Sequence, residues 1–149
     1  MPDPHDLPKE LCRGVSRELA RRGFAALAEV ALANGRRADI LALGRDGDLV
    51  IIEIKTSLAD FRADRKWPEY RAFCDRLYFA VPAGFPLEFI PEDCGLIKAD
   101  GFGAVVLREG APHRLNPARR RALTRRFALL AAARLGRLLD PGAADPDLL

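Results

Sequence analysis

The segment Leu49-Val50-Ile51-Ile52-Glu53-Ile54-Lys55 decides how this chain is read. It is apolar and β-branched, and it predicts a strand running from Leu49 to Thr56. Side chains alternate faces along a strand, so Glu53 and Lys55 share one face while Ile52 and Ile54 take the other. A carboxylate and an ammonium in so apolar a segment cost free energy unless they pair or bind something. Taken alone, Glu-x-Lys also describes a simple same-face ion pair, worth roughly a few tenths of a kcal/mol when exposed.

The residues just upstream raise the content of this signal. Phe24 to Ala33 and Arg36 to Leu43 read as two further strands. They are joined by Asn34-Gly35, and the turn Gly44-Arg45-Asp46-Gly47-Asp48 leads into the third strand. The length of that second turn sets the register. A two-residue Asp46-Gly47 loop would set Asp39 against Ile54 and send the carboxylates to opposite faces. A three-residue Arg45-Asp46-Gly47 loop sets Asp39 against Glu53, and Gly47 suits its left-handed position. Asp39, Glu53 and Lys55 then share a face. A similar Ala33-Asn34-Gly35 loop would set Glu29 opposite Asp39, in competition with a two-residue Asn-Gly turn.

The rest of the chain supplies the frame. Asp6 is placed to cap a helix over about Leu7 to Arg22, with Gly23 just past its end. Leu11, Val15 and Leu19 form its stripe, with Glu18 at the stripe's edge and Arg22 one turn on. Ser57 and Asp60 resemble a capping box, and Pro68 opens a short helix to about Cys74. Leu77 to Val81 reads as a fourth strand. Loops with short apolar runs around Leu96 and at Ala104 to Leu107 follow. Asn116-Pro117 opens a last helix with Leu123, Phe127, Leu130 and Leu138 toward the core. The expected organisation is one domain over residues 1–139 and a disordered tail over 140–149. The fold class is α/β (α+β), with α-β-β-β-α-β element order and a C-terminal basic helix.

Composition narrows the classes. With 49% hydrophobic and 30% charged residues in 149, this is a globular chain with one sizeable core. It has no stretch that would span a bilayer and no signal-peptide pattern, so the expectation is a cytoplasmic protein without a membrane partner. Cys12, Cys74 and Cys94 are too scattered for a zinc site or disulfide framework, and so are His5 and His113 for a triad. The net charge of +3 is uneven: residues 110–149 hold 8 Arg and 3 Asp, and no acidic residue falls between Gly110 and Leu139. A basic end beside a carboxylate-bearing core fits a polyanionic partner, as it also fits a solvated helix face.

Asp39 and Glu53, opposed across a hairpin, would offer oxygen ligands to one hard cation, Mg²⁺ or Mn²⁺. Such an ion polarises a phosphoryl oxygen and acidifies a bound water, while Lys55 would orient that water or steady charge on the phosphate.

Asp39…Glu53-Ile54-Lys55 on this element order resembles the PD-(D/E)XK nuclease superfamily, with its restriction-endonuclease-like fold. More narrowly, the chain resembles the MmcB family of DNA-repair endonucleases. The residues that carry this likeness are Gly35 to Ile40, Ile52 to Lys55, Asp60-Phe61, Asp64 to Trp67, Tyr70, Cys74-Asp75 and Tyr78 to Val81. The likeness covers about residues 7–110. It implies a four-stranded mixed sheet flanked by helices and Mg²⁺-dependent cleavage of DNA in repair. It implies Asp39, Glu53 and the Ile54 carbonyl as metal ligands and Lys55 as the catalytic lysine. A first-helix glutamate often completes such sites, and Glu18 is the best-placed candidate. Ala38 stands where the superfamily's motif has proline.

Around this centre, Arg36 and Arg37 would hold phosphates or neutralise carboxylates. Lys66 would meet phosphate, and Trp67 or Tyr70 would stack on a base unless they pack under the sheet. Asp60 is a site carboxylate or only a cap, and Glu29 a site carboxylate or an edge-strand residue. Arg120, Arg121 and Arg125 of the basic helix are further DNA contacts. The expected function is a Mg²⁺-dependent DNA endonuclease, which as a homodimer could cut both strands. The alternatives are a non-catalytic DNA-binding or assembly module on the same fold, or an RNA-processing nuclease.

Overall fold

The computed structural model describes residue 3 and residues 5–143. The chain divides into two compact units, Met1–Leu115 and Asn116–Leu149.

The first unit is built on a six-stranded sheet whose strands follow one another in chain order. These are β1 (Phe24–Ala31), β2 (Arg37–Gly44), β3 (Leu49–Ile54), β4 (Arg76–Val81), β5 (Gly95–Ala99) and β6 (Ala104–Arg108). β1, β2 and β3 form an antiparallel meander, β4 and β5 run parallel to β3, and β6 returns antiparallel. The fold class is therefore the mixed, helix-flanked α+β sheet expected. The sheet has six strands rather than four, because Gly95–Ala99 and Ala104–Arg108 pair where the sequence showed only short apolar runs.

Both hairpins close with three-residue loops. Gly44 N–H donates to Asp48 O at 2.8 Å, Gly47 N–H donates to Gly44 O at 3.0 Å, and Gly47 has φ +88°. That φ belongs to the left-handed region, where a Cβ is strained. In the first hairpin, Leu32 N–H donates to Arg36 O at 2.8 Å and Gly35 takes φ +83°. The Asn34 side chain accepts from Arg36 N–H at 3.0 Å and locks the longer loop. The resulting registers set Ile40 against Ile52 in β2–β3 and Ala28 against Ile40 in β1–β2.

α1 (Leu7–Arg21) lies on one face of the sheet. Its stripe Leu11, Val15 and Leu19 packs with Ile40, Ala42, Val50, Ile52, Tyr78, Ala80 and Ile97. Asp6 sits at the predicted cap position without a side-chain cap bond, because its backbone is already near-helical (φ −91°, ψ −14°). Beyond it, α2 (Leu58–Ala63) and a 3₁₀ helix (Trp67–Phe73) connect β3 to β4. Pro68 thus opens a 3₁₀ helix, not an α-helix. Ser57 caps α2 by accepting from Asp60 N–H at 3.1 Å.

The second unit contains α3 (Pro117–Leu139), capped by Asn116, which accepts from Arg119 N–H at 2.8 Å. Its buried residues are Leu123, Phe127 and Leu130. Leu138 is 82% exposed, contrary to expectation, because the buried stripe ends at Leu130. Of the predicted tail, Pro141–Ala143 form a 3₁₀ turn and residues 144–149 lie outside the described residues. Among the described residues no helix is long and apolar enough to cross a membrane.

Candidate active site

The β2–β3 ladder ends at Ile40 and Ile52, and the next opposed pair is Asp39 and Glu53. Their side chains continue the bonding where the backbone stops. Asp39 N–H donates to Glu53 Oε1 at 3.1 Å, and Ile54 N–H donates to Asp39 Oδ2 at 2.8 Å. Glu53 is only 3% exposed. Burial, and then the Asp39 charge, push its carboxyl up to about 9. Burial likewise raises Asp39, against the pull of the Ile54 N–H and of the Glu53 carboxyl. Burial and each carboxyl's nearness to the other thus make it costly for both to be ionised together.

Lys55 follows directly, its backbone N–H donating to Ala80 O at 3.0 Å. Its side chain is buried and its Nζ donates to Asp64 Oδ2 at 2.7 Å. Its charge favours the ionised forms of both Asp39 and Glu53. Burial works against ionisation of Asp64. The Lys55 ammonium and the Lys66 and Trp67 N–H groups outweigh it and hold that carboxyl below its ordinary range. Asp64 lies nine positions after Lys55, across α2, so no local sequence pattern announces the contact.

A cavity of ≈ 490 Å³ opens beside Asp39, lined also by Lys9, Cys12, Glu29, Ile54 and Asp60. The donor set fits a hard divalent cation: two adjacent carboxyls, one buried and one half-buried, are both held above their ordinary range, and positive charge would favour their ionised forms. Among the described residues no group of three or more His, Cys, Asp or Glu side chains could hold a metal. Further ligands would be backbone oxygen, water or substrate. A larger cavity, ≈ 710 Å³, lies between α1 and the β5–β6 loop and holds none of the predicted site residues.

The structure separates Glu18 from this centre. The cavity meets α1 at Pro8, Lys9 and Cys12, and Glu18 lies about 9 Å further along the helix axis. Glu18 is bound by Arg21 at 2.8 Å and Arg22 at 3.4 Å, and Arg21 lowers its pKa. Pro8, Lys9 and Cys12 are thus the α1 residues at the cavity beside Asp39, which local spacing does not announce because which turn of the helix meets the strand ends is a tertiary choice.

The remaining candidates divide. Glu29 falls at the position opposite Asp39 that the β1–β2 ladder skips, with φ +51°, and its carboxylate lies 3.8 Å from Arg37. Asp60 accepts from Thr56 N–H at 3.0 Å, so it serves as a cap while also lining the cavity. Arg36 pairs with Glu69 at 2.8 Å, and Lys66 is exposed. Trp67 is half-buried, with the Arg71 guanidinium 5.4 Å from its ring centre. It packs edge-on against Phe79 at 5.3 Å and beside Phe61 at 6.5 Å. Tyr70 is buried, its hydroxyl donating to Arg37 O at 2.8 Å. On α3, Arg121 and Arg125 are exposed and Arg120 is partly exposed.

The mixed sheet, its flanking helices and the carboxylate pair at the ends of β2 and β3 are consistent with a restriction-endonuclease-like core. The chain belongs to the MmcB-like family, described as "DNA repair protein MmcB-like", whose model matches residues 6–142. Among solved structures it is similar to the SPO1766 protein of unknown function from Silicibacter pomeroyi. The two are 42% identical with a TM-score of 0.89, over 93% of this chain and 95% of that one. The structure of Pyrococcus furiosus SfsA in complex with Ca²⁺ matches at 12% identity and a TM-score of 0.33, over 64% and 58% of the two chains. No curated protein matches the chain.

Proposed function

We propose that this protein is a Mg²⁺- or Mn²⁺-dependent DNA endonuclease acting in repair, in the cytoplasm. The observation that carries this reading is the half-buried Asp39 bonded through its backbone N–H to the buried Glu53, with the buried Lys55 two residues on. A family whose description names DNA repair supplies the substrate class.

Asp39 and Glu53, with the Ile54 carbonyl, would hold the cation, which supplies polarisation of a phosphoryl oxygen and a more acidic bound water. The positive charge would favour the ionised form of Glu53, whose carboxyl is now pushed up to about 9 by burial. Lys55 spends one N–H on Asp64 and has two left, for a phosphate oxygen or the attacking water. Lys9 stands at the cavity beside Asp39 and would meet a neighbouring phosphate.

The test is a panel of DNA substrates (duplex, nicked, flapped, branched and single-stranded) with Mg²⁺ or Mn²⁺. Wild type is compared with Asp39→Ala and Lys55→Ala. Cleavage by wild type that either substitution abolishes supports the reading; cleavage that survives both sinks it. RNA run alongside distinguishes an RNA-processing nuclease. One observation favours a non-catalytic DNA-binding module: Glu18 stands apart, so α1 adds no carboxylate to the pair. DNA binding without cleavage or cation uptake would select that module.

A further inference from the structure

We infer that Asp64 is a positioning residue that holds Lys55 at the Asp39–Glu53 pair, an inference that rests on the nuclease reading of that site. The ion pair is short, 2.7 Å, and its members are largely withdrawn from water, with side chains 8% and 24% exposed. A lysine side chain has four rotatable bonds, so a buried ammonium needs a fixed partner to occupy one place.

Asp64 is itself fixed. Its Oδ1 accepts from Lys66 N–H at 2.9 Å, while its backbone N–H donates to Phe61 O at 3.3 Å. The turn that carries it is wedged on the sheet by aromatic packing. Trp67 meets the ring of Phe79 edge-on at 5.3 Å, and Phe61 meets the same ring edge-on at 5.3 Å. Phe79 is the β4 partner of Glu53. The wedge therefore bears on the register position of the carboxylate pair, and Asp64 is held relative to Glu53 through packed side chains. A different structural role would not need both carboxylate oxygens committed, one to its own turn and one to Lys55.

Single-turnover and steady-state cleavage by wild type, Asp64→Ala and Asp64→Asn tests this, with thermal unfolding run on each. The Ala variant is expected to lose about a hundredfold in kcat with KM within about twofold, because a small displacement of a reacting group costs that much. Asn keeps an acceptor oxygen and is expected to recover about tenfold of that loss. If the Ala variant does not fold, the Asn variant carries the comparison with wild type, with about a tenfold kcat loss expected. Wild-type cleavage with a kcat unchanged in the variants, or a KM that rises as far as kcat falls, would overturn the positioning role alone. No cleavage by wild type on any substrate would overturn the nuclease reading and this role with it.

Discussion

Asp39 and Glu53 hold each other through the backbone: Asp39 N–H donates to Glu53 Oε1, and Asp39 Oδ2 accepts from the N–H of Ile54, next to Glu53. The arrangement fixes both carboxyls before any ligand arrives. It also carries an electrostatic cost, since the buried Glu53 lies against the half-buried Asp39 and the one buried lysine nearby is already paired with Asp64.

That cost appears as pH dependence. Glu53, raised from 4.5 to about 9, keeps its proton in the folded state across a range where the unfolded chain releases it. The stability this contributes is complete below about pH 4.5 and is lost as pH rises toward about 9. Asp39 is raised too and acts in the same direction. The metal-free protein is expected to melt at progressively lower temperature from pH 5 to pH 9. Glu53→Gln is expected to flatten the profile and to add about 1–2 kcal/mol, roughly 3–8 °C, at pH 8. Melting curves at fixed ionic strength check this; a wild-type profile that rises with pH would contradict it.

Cation uptake should release the proton that Glu53, raised to about 9, holds at neutral pH. Calorimetry of Mn²⁺ binding at pH 7, in buffers of different ionisation enthalpy, is expected to give about one proton released per ion. Asp39→Asn is expected to weaken binding at least about tenfold. Binding with no proton release would mean the ion sits elsewhere.

The half-buried Trp67 packs against Phe79 and Phe61, which points to a packing role before a stacking one. Trp67→Ala is expected to cost about 3 kcal/mol in urea unfolding, through the lost contacts with Phe79 and Phe61. Its affinity for single-stranded DNA, measured well below the melting temperature, should stay within about twofold of wild type. A large affinity loss at unchanged stability would restore the stacking role.

Glu18 belongs to the arginines of its own helix. Glu18→Gln should leave any cleavage rate within about twofold, with stability changed by only about a few tenths of a kcal/mol. A collapse in rate would place it in the site after all.

The basic helix offers a separate test. Replacing Arg120, Arg121 and Arg125 by Ala should lower DNA affinity and make its salt dependence shallower by about two to three in log–log slope. Unchanged binding would make that face of α3 a solvated surface.

The centre of the fold was legible because local chemistry sets it. Gly47 admits the left-handed residue of a three-residue loop, and that loop length alone aligns Asp39 with Glu53. Gly35 does the same for Glu29, and there the Asn34 side chain settled a competition the sequence left open. β5 and β6 were not legible, because each is five residues long and strand pairing, not periodicity, defines them.

Turn length and two-residue alternation are therefore enough to lay out the β-meander, to allow the register of the carboxylate pair and to put Glu53 and Lys55 on one face. Which partners those side chains meet depends on packing between elements. That packing put Asp64 on Lys55, set Trp67 against Phe79, buried Tyr70, and brought Lys9 and Cys12 rather than Glu18 to the cavity. These contacts join residues from separate elements, and their geometry follows from how α1, α2 and the 3₁₀ helix dock on the sheet, which no local spacing encodes.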